Sequence, residues 1–152
     1  MMKEVKLFLG ADHAGFDFKE KLKKYLDKKK IDFEDLGAFV LDENDDYPDI
    51  AFKVAERVSE VSGKGILICG SGEGMEIAAN KVKGIRAIAA WDVYTAKKSR
   101  EHNDANILAL SERDSSFAKV TKIIDAWLKT PFSDKEKHAR RIKKISDYEN
   151  KL

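Results

Sequence analysis

One thiol, three histidines and a glycine-rich turn are the residues of this chain with the widest chemical reach. Cys69 ends the apolar run Gly65-Ile66-Leu67-Ile68, and Gly70-Ser71-Gly72-Glu73-Gly74 follows at once. Met75-Glu76-Ile77-Ala78-Ala79-Asn80 then has the composition of a helix. A strand that feeds a glycine-rich turn and a helix gathers several backbone N–H groups into one concavity, with the positive end of the helix dipole behind them. Such a cradle suits a phosphate or an enolate-like oxyanion, and a thiol at its rim adds a base or a nucleophile. The simpler alternative is an ordinary strand–turn–helix with a buried, inert cysteine. A tight turn needs one or two glycines; three argue for a ligand that approaches the backbone closely.

Other candidates lie elsewhere in the chain. Gly10-Ala11-Asp12-His13-Ala14-Gly15 puts a carboxylate and an imidazole between a strand and a helix, where Asp12 could equally be a helix cap. His102, within Arg100-Glu101-His102-Asn103-Asp104-Ala105-Asn106, is either an acid–base residue or part of a solvated helix end. Arg113, Lys137, His138, Arg140 and Arg141 could clamp a phosphate, or simply form a solvated basic face. Tyr47 beside Pro48 could pack under a loop. No paired Cys or His-x-x-x-His spacing is present, so no metal site is expected.

These groups need a scaffold. The 152 residues suffice for one domain with a real core. Charged residues make up 37% of the chain, yet the net charge is +2, so no global basic field points to nucleic acid. No apolar run has the length of a membrane span, and the N-terminus is too short and charged for a signal peptide. A lone Cys cannot form an internal disulfide and fits a reducing cytoplasm. Val5–Leu9, Asp32–Leu36, Gly65–Cys69, Arg86–Ala90 and Asn106–Leu110 read as strands. Three helical stripes lie among them: Phe18/Leu22/Tyr25/Leu26, Ile50/Ala51/Val54/Ala55/Val58 opened by Pro48, and Phe117/Val120/Ile124/Trp127/Leu128. Ser133-Asp134-Lys135-Glu136 has the capping-box pattern and predicts a last helix over about 133–150. Strands alternating with helices predict a three-layer α/β/α, Rossmann-like fold with a five-stranded, mostly parallel sheet. In such folds ligands sit beyond the carboxyl ends of the strands, where Asp12, His13, Cys69–Gly74 and Arg113 fall.

Six segments, taken together, resemble the ribose-5-phosphate isomerase B family, which also includes galactose-6-phosphate and allose-6-phosphate isomerases. They are Gly10–Gly15, Asp46-Tyr47-Pro48, Ile66–Gly74, Ile77–Lys81, Ser99–Asn106 and Asp125–Leu128, in the same order and spacing. The resemblance runs from the first strand to about Ile145. It implies a metal-independent, cofactor-free aldose–ketose isomerase. Cys69, as thiolate, would move a proton between C1 and C2 of the open-chain sugar, activated by the helix N-terminus and by Ser71. The N–H groups of Gly70, Ser71, Gly72, Glu73 and Gly74 would hold the cis-enediolate, with Asn103 assisting, and Ser71 would shuttle the hydroxyl proton. His102 would open the furanose, Asp12 and Tyr47 would contact ring hydroxyls, and His13, Arg113 and Arg141 would hold the phosphate. Family sites are shared between subunits, which implies a homodimer or a tetramer, with the C-terminal helix reaching the partner.

The chain departs from the family pattern in places. Lys137 stands where Arg is usual before the late His, which keeps the charge but loses the bidentate fork. Asp114-Ser115-Ser116 replaces apolar residues and Gly, and Ala90-Trp91-Asp92 replaces a stretch with Cys or His, so Trp91 could line the sugar pocket. One branch of the family uses a Glu base where this chain has Met75, which leaves Cys69 as the candidate base and Glu76 one residue away. The expected substrate is ribose 5-phosphate. The alternatives are a six-carbon aldose phosphate, or a sugar-phosphate sensor without turnover; retention of Cys69, Ser71 and His102 counts against the sensor.

Overall fold

The structure is a computed structural model that describes residues 6–152. Five strands form one sheet: β1 (Leu7–Ala11), β2 (Glu34–Asp35), β3 (Lys64–Cys69), β4 (Ala87–Ala89) and β5 (Ile107–Ser111). Six helices accompany them: α1 (Phe16–Lys28), α2 (Tyr47–Val61), α3 (Glu73–Ala79), α4 (Val93–Asn103), α5 (Phe117–Lys129) and α6 (Glu136–Glu149). All the pairings are parallel, in the order β2-β1-β3-β5-β4.

Each predicted strand is present, with shifted ends. Val5 lies outside the described residues. The second strand shrinks to two residues at the sheet edge, where Glu34 is exposed and only Phe8 and Leu9 are partners. The helix stripes bury as their spacing predicts. Leu22, Leu26, Val120, Ile124 and Trp127 pack under one face of the sheet, and Ala51, Val54, Ala55 and Val58 under the other. Each large apolar side chain removed from water there contributes about 1.5–3 kcal/mol.

The expected capping box does not form. Lys135 is the N-cap of α6, which starts at Glu136, and Asp134 takes a left-handed conformation at φ 57°. Ser133 therefore sits two residues before the N-cap, and Glu136 is the first helical residue instead of the third.

From β1 the chain moves to β2 on one side and then to β3 on the other. The resulting crevice opens at the carboxyl ends of β1 and β3, the place where doubly wound sheets bind ligands.

Candidate functional site at the carboxyl edge of the sheet

Cys69 is the last residue of β3 and is 4% exposed. Its Sγ accepts the N–H of Gly72 at 3.1 Å. Gly72 has φ +85°, a conformation costly for any residue with a Cβ, and it opens α3. The turn thereby folds back on the sulfur and aims a backbone dipole at it. Ser71 Oγ accepts the N–H of Glu73 at 3.3 Å and is exposed, so the group touching Sγ is Gly72 N–H. The first N–H groups of α3 have no helical carbonyl to bond to. Glu76 is otherwise engaged: its Oε1 accepts the N–H of Ala89 at 3.0 Å.

Two side chains close over this turn. A Cβ on Gly70 would lie 2.8 Å from Nη2 of Arg113, and one on Gly74 would lie 2.7 Å from the Tyr47 ring. Arg113 is carried there by backbone pairing past the end of β5: Glu112 N–H donates to Cys69 O at 2.9 Å and Arg113 N–H to Gly70 O at 3.0 Å. Tyr47 is delivered by the loop after β2, which Ala11 anchors through bonds with Gly37 and Ala38 at 2.9 and 2.8 Å.

Asp12 and His13 follow β1. Asp12 Oδ1 accepts the N–H of Gly15 at 3.1 Å within the turn before α1. Gly15 is the N-cap and α1 has no side-chain cap, so Asp12 is not the helix cap; it is 6% exposed in the crevice. Burial pushes its carboxyl above the usual range, against the pull of the Gly15 N–H and of His13. The same loop that delivers Tyr47 brings in Asp45, which sequence reasoning passed over because an acidic loop carries no spacing signal. Its Oδ1 meets His13 Nδ1 at 2.7 Å and accepts the His13 backbone N–H at 3.1 Å. That hydrogen bond raises the His13 pKa, with smaller help from Asp12 and Asp45 as charges. Asp12, His13 and Asp45 offer ligand atoms within 4.8 Å of one another. Within the cluster His13 Nδ1 and Asp45 Oδ1 are bonded to each other, which orients the imidazole, while Asp45 Oδ2 is buried without a hydrogen-bond partner.

The remaining candidates lie at the opposite edge. His102 and Asn103 end α4, which runs back along the sheet and leads into β5. Arg100 pins that end to Asp104, Ala105 O and Thr130 O, and Arg86 Nε donates to Asn103 O at 2.9 Å. Cys69 pairs with Ser111 at the far end of β5, so the strand alone separates the two groups by about 15 Å. Lys137 and Arg141 stand exposed on α6, which packs on α4. Arg140 is paired with Glu136 at 2.7 Å on the exposed face of α6, and His138 is buried against His102.

Two concavities accompany these groups. The larger, about 980 Å³, lies at the amino edge between Lys6, Lys64, Arg86 and Arg100 and includes nothing from the Cys69 turn. The smaller, about 270 Å³, adjoins that turn and is lined by Ser71, Glu73, Glu76 and Trp91. The thiol, the glycine-turn N–H groups and the oriented imidazole all lie at the carboxyl edge, away from the larger concavity.

Fold and site together define an α/β enzyme of the sugar-phosphate isomerase class. The chain belongs to the Ribose/Galactose Isomerase family, whose model matches residues 7–145. It is 47% identical over 150 residues, 97% of the chain, to a Bacillus subtilis protein with the provisional name of sugar phosphate isomerase, of which 99% is covered. It is 40% identical over 146 residues to ribose-5-phosphate isomerase B of Mycolicibacterium paratuberculosis, covering 95% of this chain and 92% of the relative. Among solved structures, ribose-5-phosphate isomerase B of Mycoplasma genitalium with bound ribulose-5-phosphate superposes with a TM-score of 0.92 at 42% identity, covering 96% of this chain and 97% of the other.

Proposed function

We propose that the chain interconverts ribose 5-phosphate and ribulose 5-phosphate through a cis-enediolate, with Cys69 as the base. The observation that carries this reading is Cys69 Sγ held by the Gly72 N–H at the carboxyl edge, under a glycine turn that supplies further N–H groups. The thiolate takes the proton from C2 and returns it to C1, while a proton passes from O2 to O1, assisted by Ser71. The N–H groups of Gly70–Gly74 hold the enediolate oxygens. Asp12 and Tyr47 contact sugar hydroxyls. Arg113 and a charged His13 hold the phosphate. The names of the relatives support the five-carbon substrate. The Trp91-lined cavity is the one observation that favours a six-carbon aldose phosphate, and turnover of a panel of C5 and C6 aldose phosphates separates the two.

His102, Asn103, Lys137 and Arg141 cannot reach Cys69 in their own chain. We read them as the second half of a site completed by another copy, in a homodimer or a tetramer, with α6 reaching across. His102 then opens the furanose, Asn103 assists the enediolate, and Lys137 and Arg141 complete the phosphate grip. On this reading residues 1–152 form one catalytic unit, and a lone thiol and a phosphorylated substrate suit the cytoplasm.

Complementation tests both halves together. Cys69→Ala lowers turnover by at least about 10²–10⁴-fold. Mixing unfolded Cys69→Ala and His102→Asn chains and refolding them together restores about a quarter of wild-type sites, because each mixed dimer owns one intact site in two. Near-normal turnover by Cys69→Ala refutes the thiol as base, and no recovery on mixing refutes the shared site.

A further inference from the structure

His102 on α4 and His138 on α6 have ring centroids 4.4 Å apart, with their planes inclined by 34°. His102 is exposed, whereas His138 is 6% exposed and lies behind it. His138 is also the buried residue of α6. Ser133 Oγ sits 2.7 Å from His138 Nδ1 and accepts the N–H of Lys135 at 3.2 Å. The hydroxyl keeps one donor and one acceptor position for Nδ1, so it holds the His138 ring in either tautomer. The Ser133 N–H donates to Glu101 O at 3.1 Å, so the support of His138 is tied to the turn that carries His102.

We propose that His138, held by Ser133, is a positioning residue for His102: it backs the exposed imidazole and fixes its direction toward the sugar. The inference rests on the reading of His102 as the ring-opening group. Ring opening removes the anomeric O1–H proton as the C1–O4 bond breaks and O4 is protonated. The base must therefore keep one nitrogen in line with one hydroxyl. An imidazole on the last turn of a helix has wide rotamer freedom, and a flat ring packed against one face removes it. Burial holds the His138 pKa down, reinforced by His102, Lys137, Lys135 and Arg141.

The test compares kcat/KM on ribose 5-phosphate with kcat/KM on erythrose 4-phosphate, whose O4 carries the phosphate and cannot close a furanose. His102→Asn and His138→Ala both lower the ribose-to-erythrose ratio, His138→Ala by roughly tenfold, since small misplacements of a catalytic group cost that much. His138→Phe keeps a flat ring and returns the ratio to within about threefold of wild type. Activity on erythrose 4-phosphate within about twofold of wild type shows that the fold and the enediolate step survive. If His138→Ala fails to fold, Ser133→Ala frees the ring without removing it, and the same selective loss is expected. A selective loss in His102→Asn with none in the folded His138 and Ser133 variants overturns the positioning role. Equal losses on both substrates in His102→Asn refute ring opening by His102, and the inference with it.

Discussion

Gly70→Ala changes one hydrogen for a methyl group and reaches the phosphate grip directly. The new Cβ would stand 2.8 Å from Arg113 Nη2 and 3.2 Å from Cζ, whereas ordinary contact begins at 3.4 Å. The guanidinium must withdraw by at least about 0.6 Å, and misplacement on that scale is costly where hydrogen bonds are directional. Arg113 cannot retreat as a whole, because its N–H is bound to Gly70 O at 3.0 Å and Glu112 N–H to Cys69 O at 2.9 Å. Gly70 does not need a left-handed backbone, so alanine leaves the turn unstrained. The cost therefore falls on the position of the cation. A hydrogen bond between charged groups is worth about 1.5–3 kcal/mol, so losing the lower figure raises KM for the sugar phosphate about tenfold, with kcat and Tm little changed. Steady-state kinetics with inorganic phosphate as competitor measures this. Arg113→Ala is the reference, and the double variant is expected to be no worse than Arg113→Ala alone, because both changes remove one contact. An unchanged KM in Gly70→Ala, or additive losses in the double variant, refutes a phosphate contact by Arg113 at this place.

Two further outcomes follow from the same edge of the sheet. The hydrogen bond to Asp45 raises the His13 pKa above its ordinary 6.5, so the imidazolium that grips phosphate persists above that pH. KM is expected to rise only as pH climbs through the raised value, and Asp45→Asn moves that rise down toward 6.5; a pH profile of KM that Asp45→Asn leaves in place contradicts this. Gly72→Ala puts a side chain at φ +85°, which costs about 1–2 kcal/mol. Differential scanning calorimetry is expected to show Tm lower by about 2–8 °C, together with reduced turnover as Gly72 N–H leaves Cys69 Sγ.

Much of the architecture was legible because the hydrophobic effect acts on periodicity. Leu22 and Leu26, or Val54 and Val58, recur at helical spacing, and burying that stripe is the main gain open to those segments. The apolar runs into Leu9, Cys69 and Leu110 are short and bounded by polar turns, which is what a strand buried on both faces requires. The glycines around Cys69 announced a backbone conformation that other residues avoid, and Gly72 adopts it. What was missed locally has local causes. The Ser133 capping pattern matched by type, but Asp134 turned left-handed and moved the helix start. The edge strand shrank to Glu34–Asp35 because a strand with one neighbour gains little from further pairing.

By itself, then, the sequence determined the alternation of elements, the faces they bury and the residues able to carry a proton or an anion, because each depends on neighbours within a few positions. Contacts between distant segments were decided only by tertiary structure. Asp45 meets His13 across 32 residues of chain because Gly37 and Ala38 lock the loop after β2 onto Ala11. Arg113 covers Gly70 because β5 inserts beside β3, ahead of β4 in the sheet although later in the chain. His102 and Cys69 stand at opposite edges because a helix that returns along a parallel sheet ends where the next strand begins. No local pattern encodes such distances, since they are set by the direction and order of whole elements packed around a common core.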